Sequence, residues 1–294
     1  MLLLTLFWRI MPKIAFVTDS TAYLPVELVK KYNITIVPQI LIWGNQTYMD
    51  GIDIKPQEFY ARLKTTKVMP TTSQVSVLSM QTTFQTLINE GNDVIGIFLS
   101  AKLSGTIQSA NQGREALGAL ASKVTIIDSY TTAMAMGFQV LIGVRAANDG
   151  ASLTECLTLV NRSREHCGVY FAVDTLEFLH RGGRIGGAQR FIGSALNLKP
   201  ILMLKDGYVE AEDRVRTRSK ALDRLIQLVS EKLIGKSNIR IATLHANSEE
   251  EARDLLSRAS SKFNAVESIL SSVSPVVGTH AGPGTVGLAF MEGM

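Results

Sequence analysis

Short apolar, β-branched runs alternate along the chain with longer amphipathic segments. The runs are Ile14–Val17, Ile34–Trp43, Val94–Leu99, Val124–Ile127, Val169–Val173, Ile201–Leu204 and Ile239–Leu244. Between them lie Leu24–Tyr32, Gln57–Leu63, Ser76–Asn89, Thr106–Leu117, Ala133–Asn148 and Leu153–Arg164, and later Arg218–Leu233 and Glu249–Phe263. Runs of four to eight bounded by turn residues suit buried strands, and longer segments with apolar positions three and four apart suit helices. Strand–helix alternation predicts a parallel sheet covered on both faces. Beyond residue 168 the pattern is broken by a Gly/Arg-rich stretch and a hairpin signal at Lys205-Asp206-Gly207, which predicts a mixed sheet. The expected architecture is α/β with two domains. Residues 11–168 form an N-terminal α/β/α domain with a parallel sheet, and residues 169–294 a C-terminal α/β domain with a mixed sheet. Residues 1–10 read as an extension outside the fold, because the strand pattern begins at Lys13. Their apolar stretch is too short to span a bilayer, which takes about 20 residues.

In parallel α/β sheets ligands bind beyond the carboxyl ends of the strands. Small hydroxyls and carboxylates recur there: Asp19-Ser20, Ser100 with Ser104-Gly105-Thr106, Asp128-Ser129, Asp174 and His245. Such residues also cap helices, so each has a structural reading beside the functional one. Ser104-Gly105 is the most informative. A helix start offers unpaired N–H groups and a positive dipole end, Gly105 allows close approach, and Ser104 adds a hydroxyl. A carboxylate or phosphate suits this site. Pro70-Thr71-Thr72-Ser73-Gln74 is a second hydroxyl cluster and reads as a loop with a cap. Gly278–Gly284 reads as a glycine-rich loop that presents His280, a titratable donor.

The 294 residues are 46% apolar and 19% charged, enough to bury a sizeable core. A net charge of +4 is too balanced to argue for nucleic acid. The positive charge is local: nine basic and four acidic residues between 181 and 220 leave +5 there. That stretch opens with Arg181 and Arg184 and suits an anionic ligand or an acidic protein face. Two cysteines exclude a disulfide framework and fit a cytoplasmic protein. No zinc-ligand spacing, Walker A sequence or G-x-S-x-G elbow is present, and the GxGxxG match at Gly282–Gly287 has no βαβ unit after it.

Five blocks together carry a family likeness: VTDSTAYLP at 17–25, PTTSQ at 70–74, SAKLSGTIQSA at 100–110, RGGRIGG at 181–187 with NLKPIL at 197–202, and GTHAGPGTVG at 278–287. The chain resembles the DegV family of bacterial fatty-acid-binding proteins, the lipid-carrier subunits of a fatty-acid kinase system. Val75 stands where the family usually has proline, and Ile107 where it often has an aromatic residue. The resemblance implies a non-enzymatic carrier of a long-chain fatty acid buried between two domains. It implies a carboxylate held at Thr72, Ser104, the Gly105 N–H and His280, with Asp19 and Ser20 as supporting strand-end groups. Arg181 and Arg184 would meet the kinase or the phosphate it transfers. Neither metal nor other cofactor is implied, and membrane contact would be transient at most. The second reading is a hydrolase or transferase for a small carboxylate or phosphate ester, built from Asp19, Ser104 and His280.

Overall fold

A computed structural model describes residues 13–193 and 198–294; the expected extension at residues 1–10 lies outside them. The chain opens with β1 (Lys13–Asp19), α1 (Val26–Lys31), β2 (Thr35–Val37), β3 (Ile40–Trp43), β4 (Gln46–Met49), α2 (Pro56–Leu63) and β5 (Thr71–Ser73). Then come α3 (Val77–Asn89), β6 (Asn92–Phe98), α4 (Thr106–Glu115), β7 (Val124–Asp128), α5 (Ala133–Asn148) and α6 (Leu153–Ser163). The remainder comprises β8 (Cys167–Ala172), α7 (Glu177–Arg181), β9 (Lys199–Lys205), β10 (Tyr208–Val215), α8 (Arg218–Lys232), β11 (Arg240–His245), α9 (Glu249–Phe263), β12 (Glu267–Ser272), α10 (Pro275–Ala281) and β13 (Val286–Met291).

The first sheet runs β2-β1-β6-β7 and is parallel throughout. Its central strand β6 buries Val94, Ile95, Ile97 and Phe98 in succession, the mark of a strand covered on both faces. The second sheet runs β10-β9-β8-β13-β11-β12. Only β11 and β12 pair in parallel, so this sheet is mixed, with the expected hairpin joining β9 to β10. A small antiparallel sheet, β4-β3-β5, completes the fold.

Three segments differ from the periodicity reading. The run Ile34–Trp43 is two strands in two sheets, parted at Pro38-Gln39. Proline donates no ladder hydrogen bond, and the chain leaves the first sheet there. Thr71–Ser73 is not a loop but strand β5, paired with β3. The glycine-rich segment Gly278–Gly284 is a loop only in its second half: Gly278–Ala281 closes α10, and Gly282–Gly284 turns into β13 at the centre of the second sheet.

Helix α5 lies between the two large sheets, against β1 and β6 on one side and β8, β11 and β13 on the other. It buries eleven of its sixteen residues, from Ala133 to Val144, and so is apolar around its whole circumference. The carboxyl ends of β1, β6 and β7 and the starts of α4 and α5 all meet at the edge of the first sheet that faces the second.

Candidate functional site

The first part of the site is made where β6 ends. The Leu99 N–H donates to Asp19 Oδ2 at 2.9 Å, which ties the end of β6 to the end of β1. The following turn is closed by Leu103 and Ser104 N–H groups on the Ser100 carbonyl. Gly105 then occupies the N-cap of α4. Its N–H meets no acceptor within the protein, as expected of a helix start. A Cβ here would lie 2.9 Å from Gln74 Nε2, so glycine keeps the Gln74 amide close to the backbone. Ser104 Oγ accepts from the Thr106 N–H at 3.3 Å and lies 2.9 Å from Thr106 Oγ1, which itself takes the Gln39 amide at 2.9 Å. The Thr106 hydroxyl can donate either to Ser104 or to Gln39 Oε1 at 3.2 Å, and when it turns to Ser104 the Ser104 proton is free for a ligand.

The second part comes from β5 and α10. Pairing with Leu41 of β3 fixes Thr72, whose Oγ1 lies 2.8 Å from His280 Nε2. His280 is in the last turn of α10. That helix is capped by Ser274 and held at its start by Asp50 Oδ1, which accepts from the Val276 N–H at 3.2 Å. Behind the imidazole, Gly182 packs so closely that a Cβ would overlap Nδ1. That Nδ1 is buried without a partner. A buried lone pair left unpaired is tolerated more readily than a buried N–H. This places the proton on Nε2, donating to Thr72 and freeing the Thr72 hydroxyl to donate onward.

Arg184 links the two parts. Its Nε donates to the Leu103 carbonyl at 3.0 Å and its Nη1 to the Gly182 carbonyl at 2.7 Å. Burial, helped by the Arg184 charge, pushes the His280 imidazole down to about 4 from its ordinary 6.5. His280 is therefore neutral at neutral pH. Between pH 6.5 and 4 the unfolded chain takes up a proton that the folded protein refuses, so this group's stabilisation is full above 6.5 and is lost as pH falls towards 4. Wild type is expected to lose about 3 kcal/mol more than His280→Gln over that window. Parallel pH curves of urea unfolding would contradict this assignment.

Thr72, Ser104, His280 and Arg184 line one cavity of about 950 Å³, its open mouth included. The remaining wall is mostly apolar and comes from the second sheet (Val169, Phe171, Leu204, Val209 and Leu244), from α10 and from Leu99 and Leu103 just beyond the end of β6. An adjoining hollow shares Thr72, Arg184 and His280 and adds Arg181 on its rim.

Asp19 and Ser20 do not line the cavity. Asp19 is fully buried and accepts from the Thr21 N–H at 2.9 Å, the Thr21 hydroxyl at 2.6 Å and Leu99. Ser20 donates to Asp50 at 2.6 Å and accepts from the Gln39 N–H. Both are structural supports. Arg181 is exposed and paired with Glu177 at 2.5 Å. No Ser–His–Asp relay forms, because His280 bonds Thr72, Ser104 bonds Thr106 and Asp19 bonds Thr21. Among the described residues no cluster of three or more His, Cys, Asp or Glu could hold a metal, and no helix is long and apolar enough to cross a membrane.

Gln39 and the cavity position of Arg184 escape the motif reading, and Gln74, though inside the 70–74 block, has no role at the site in that reading. The Gly105–Gln74 approach depends on β5, and β5 carries no apolar alternation to reveal it. Arg184 stands in a block whose net charge suggests a surface.

The sequence model of the family described as "Uncharacterised protein, DegV family" matches residues 13–293. A DegV domain-containing protein from Clostridium perfringens is 34% identical over 276 residues, 93% of this chain and 97% of the relative. Among solved structures, a fatty-acid-binding DegV family protein from Thermus thermophilus superposes with a TM-score of 0.90 at 34% identity, covering 95% of this chain and 99% of that one. DegV from Bacillus subtilis, described as a fatty acid binding protein, gives 0.87 at 32% identity, covering 96% of this chain and all of the other.

Proposed function

The chain belongs to the DegV family, and we propose that it is a cytoplasmic carrier of a long-chain fatty acid rather than an enzyme. The observation that carries this reading is the cavity itself: a mostly apolar wall onto which the polar side chains of Thr72, Ser104, Arg184 and His280 open together. Each buried methylene contributes about 0.8 kcal/mol, so a chain of about 14 gains roughly 11 kcal/mol before ordering costs. The carboxylate needs donors, because a buried ion without partners is costly. The Ser104 hydroxyl, the Gly105 N–H and the Thr72 hydroxyl supply them. Neutral His280 orients Thr72, and Arg184 adds the nearest positive charge.

Two relatives of closely similar structure bind fatty acids. Native mass spectrometry of the purified protein, with extraction of any bound lipid, tests the same activity here. A stoichiometric fatty acid is the expected result; a ligand-free protein that takes up no added fatty acid would overturn it. Titration with a fluorescent fatty acid is expected to show about tenfold weaker binding for Ser104→Ala in a protein that still folds, one hydrogen bond to a charged group being worth about 1.5–3 kcal/mol. Unchanged affinity would remove Ser104 from the site.

The hollow beside the carboxylate position carries the second half of the proposal. Arg181 and Arg184 lie where an ATP-using fatty-acid kinase would reach the carboxylate to form an acyl phosphate. Arg181 is exposed and far less constrained than Arg184. Arg181→Ala is expected to leave fatty-acid affinity unchanged and to lower kinase turnover by about tenfold. Equal loss of binding and turnover would contradict that division of labour.

A further inference from the structure

Strand β8 carries Phe171, Val169 and Cys167 on one face, because side chains alternate along a strand. Phe171 and Val169 belong to the wall of the acyl cavity, whereas Cys167 lines a second hollow. On the neighbouring strand β9, Leu202 pairs with Phe171, and the same antiparallel register sets Leu204 level with Val169. The carboxylate position lies towards the Ala172 end of β8. There Ala172 pairs with Val286, where β13 starts soon after His280, and the chain beyond β8 leads to Gly182 and Arg184. The rows therefore run away from the carboxylate in the order Phe171 with Leu202, Val169 with Leu204, then Cys167.

Among the described residues Leu204 alone lines both the cavity and the hollow. The hollow has about 870 Å³, its open mouth included, and a wall of another kind that brings in Gln139, Arg164, Glu165 and Asp206. The Gln139 amide donates to the Ser129 carbonyl at 3.1 Å and lies 3.3 Å from Cys167 Sγ, and the Arg164 guanidinium stands over the Tyr130 ring at 5.2 Å. Hydrocarbon pushed among such groups displaces the water that solvates them and offers no hydrogen bond in return. Leu204 itself is held firmly. It pairs with Val209 of β10, and the hairpin beyond it is tied down by the Ser100 hydroxyl donating to the Gly207 carbonyl at 2.9 Å.

Resting on the fatty-acid reading above, we propose that Leu204 sets the length of acyl chain that the protein accepts. Its side chain is the partition between the apolar cavity and the polar hollow, and it stops the methyl end of the chain. The carboxylate stays with Ser104 and Thr72, so length is measured from that fixed point to Leu204.

The test is displacement of a fluorescent fatty acid by straight saturated acids lengthened two carbons at a time. It uses wild type, Leu204→Ala and Leu204→Phe. In wild type, affinity is expected to rise by about tenfold per step as each added pair of methylenes is buried, up to one length, and to fall beyond it. The optimum is expected to move one step longer in Leu204→Ala and one step shorter in Leu204→Phe. Acids too short to reach Leu204 are expected to bind all three proteins alike, which also shows that both variants fold. If the optimum stays at one length in all three proteins, or if Leu204→Ala weakens short and long acids equally, the inference is overturned while the carrier reading stands. If wild type binds neither the fluorescent acid nor any saturated one, the fatty-acid reading itself falls, and the role of Leu204 with it.

Discussion

Asp19→Ala is expected to destabilise the protein by about 3–5 kcal/mol, the cost of removing one side of a buried, fully engaged polar cluster. The carboxylate is inaccessible to solvent and takes three donors: the Thr21 N–H, the Thr21 hydroxyl and the Leu99 N–H. Removal strands two backbone donors where water does not replace the acceptor. Burial raises the Asp19 pKa, and those same hydrogen bonds draw it back down. Asp19→Asn keeps one acceptor but turns an NH₂ group towards a donor, so it is expected to recover only part of the loss. Urea unfolding of the two variants checks the ordering, and a loss under about 1 kcal/mol for Asp19→Ala would show that the cluster relaxes. Fatty-acid affinity measured below the unfolding transition should change less than stability, because Asp19 is outside the cavity wall.

Gly182→Ala should show the opposite balance. Gly182 has φ −75° and ψ −5°, which alanine adopts freely, so the backbone raises no objection. The added Cβ overlaps His280 Nδ1 and must push the ring aside. The 2.8 Å bond from His280 to Thr72 then breaks, and two of the groups facing the carboxylate lose their orientation. A fluorescent fatty-acid titration should show affinity falling by about 10- to 100-fold, the worth of one or two hydrogen bonds to a charged group. The thermal midpoint should move little. Full affinity in Gly182→Ala would mean that the His280–Thr72 pair does not support the ligand.

Much of the fold was legible because its long helices have clear boundaries. The periodic segments at Ala133–Asn148 and Glu249–Phe263 coincide with α5 and α9. Strands β1, β6 and β7 announced themselves as continuous apolar runs, the pattern of a sheet covered on both faces. The missed elements have physical reasons. Thr71-Thr72-Ser73 presents no apolar side to a periodicity test, yet it pairs with β3 because its backbone is free to do so. In α10, Gly278 and the nearby glycines suggested a loop, but Ser274 and Pro275 supply a helix start that outweighs them. Ser104 and Gly105 could be found because a hydroxyl and a glycine between strand and helix suit an anion. That His280 meets Thr72, and that Arg184 reaches the cavity instead of standing on a charged surface, depends on pairings more than 80 residues apart in sequence. The left-handed backbone at Tyr23, φ 56°, has no local signature, since glycine or asparagine would be the usual residue for such a conformation.

The position of β13 has a bearing on biosynthesis. Domains form progressively as the chain is made, at about 5–20 residues per second. Here a strand at residues 286–291 is inserted between β8 and β11, both made much earlier. While residues 275–291 are still inside the ribosome, β8 and β11 lack the neighbour that joins them, and His280, Ala281 and Thr285 are missing from the cavity wall. The nascent protein thus exposes two unpaired strand edges and an open apolar hollow until translation is nearly past them. On the proposed reading, an acyl chain cannot be enclosed until β13 has emerged and paired, and chaperone dependence should be greatest before it does.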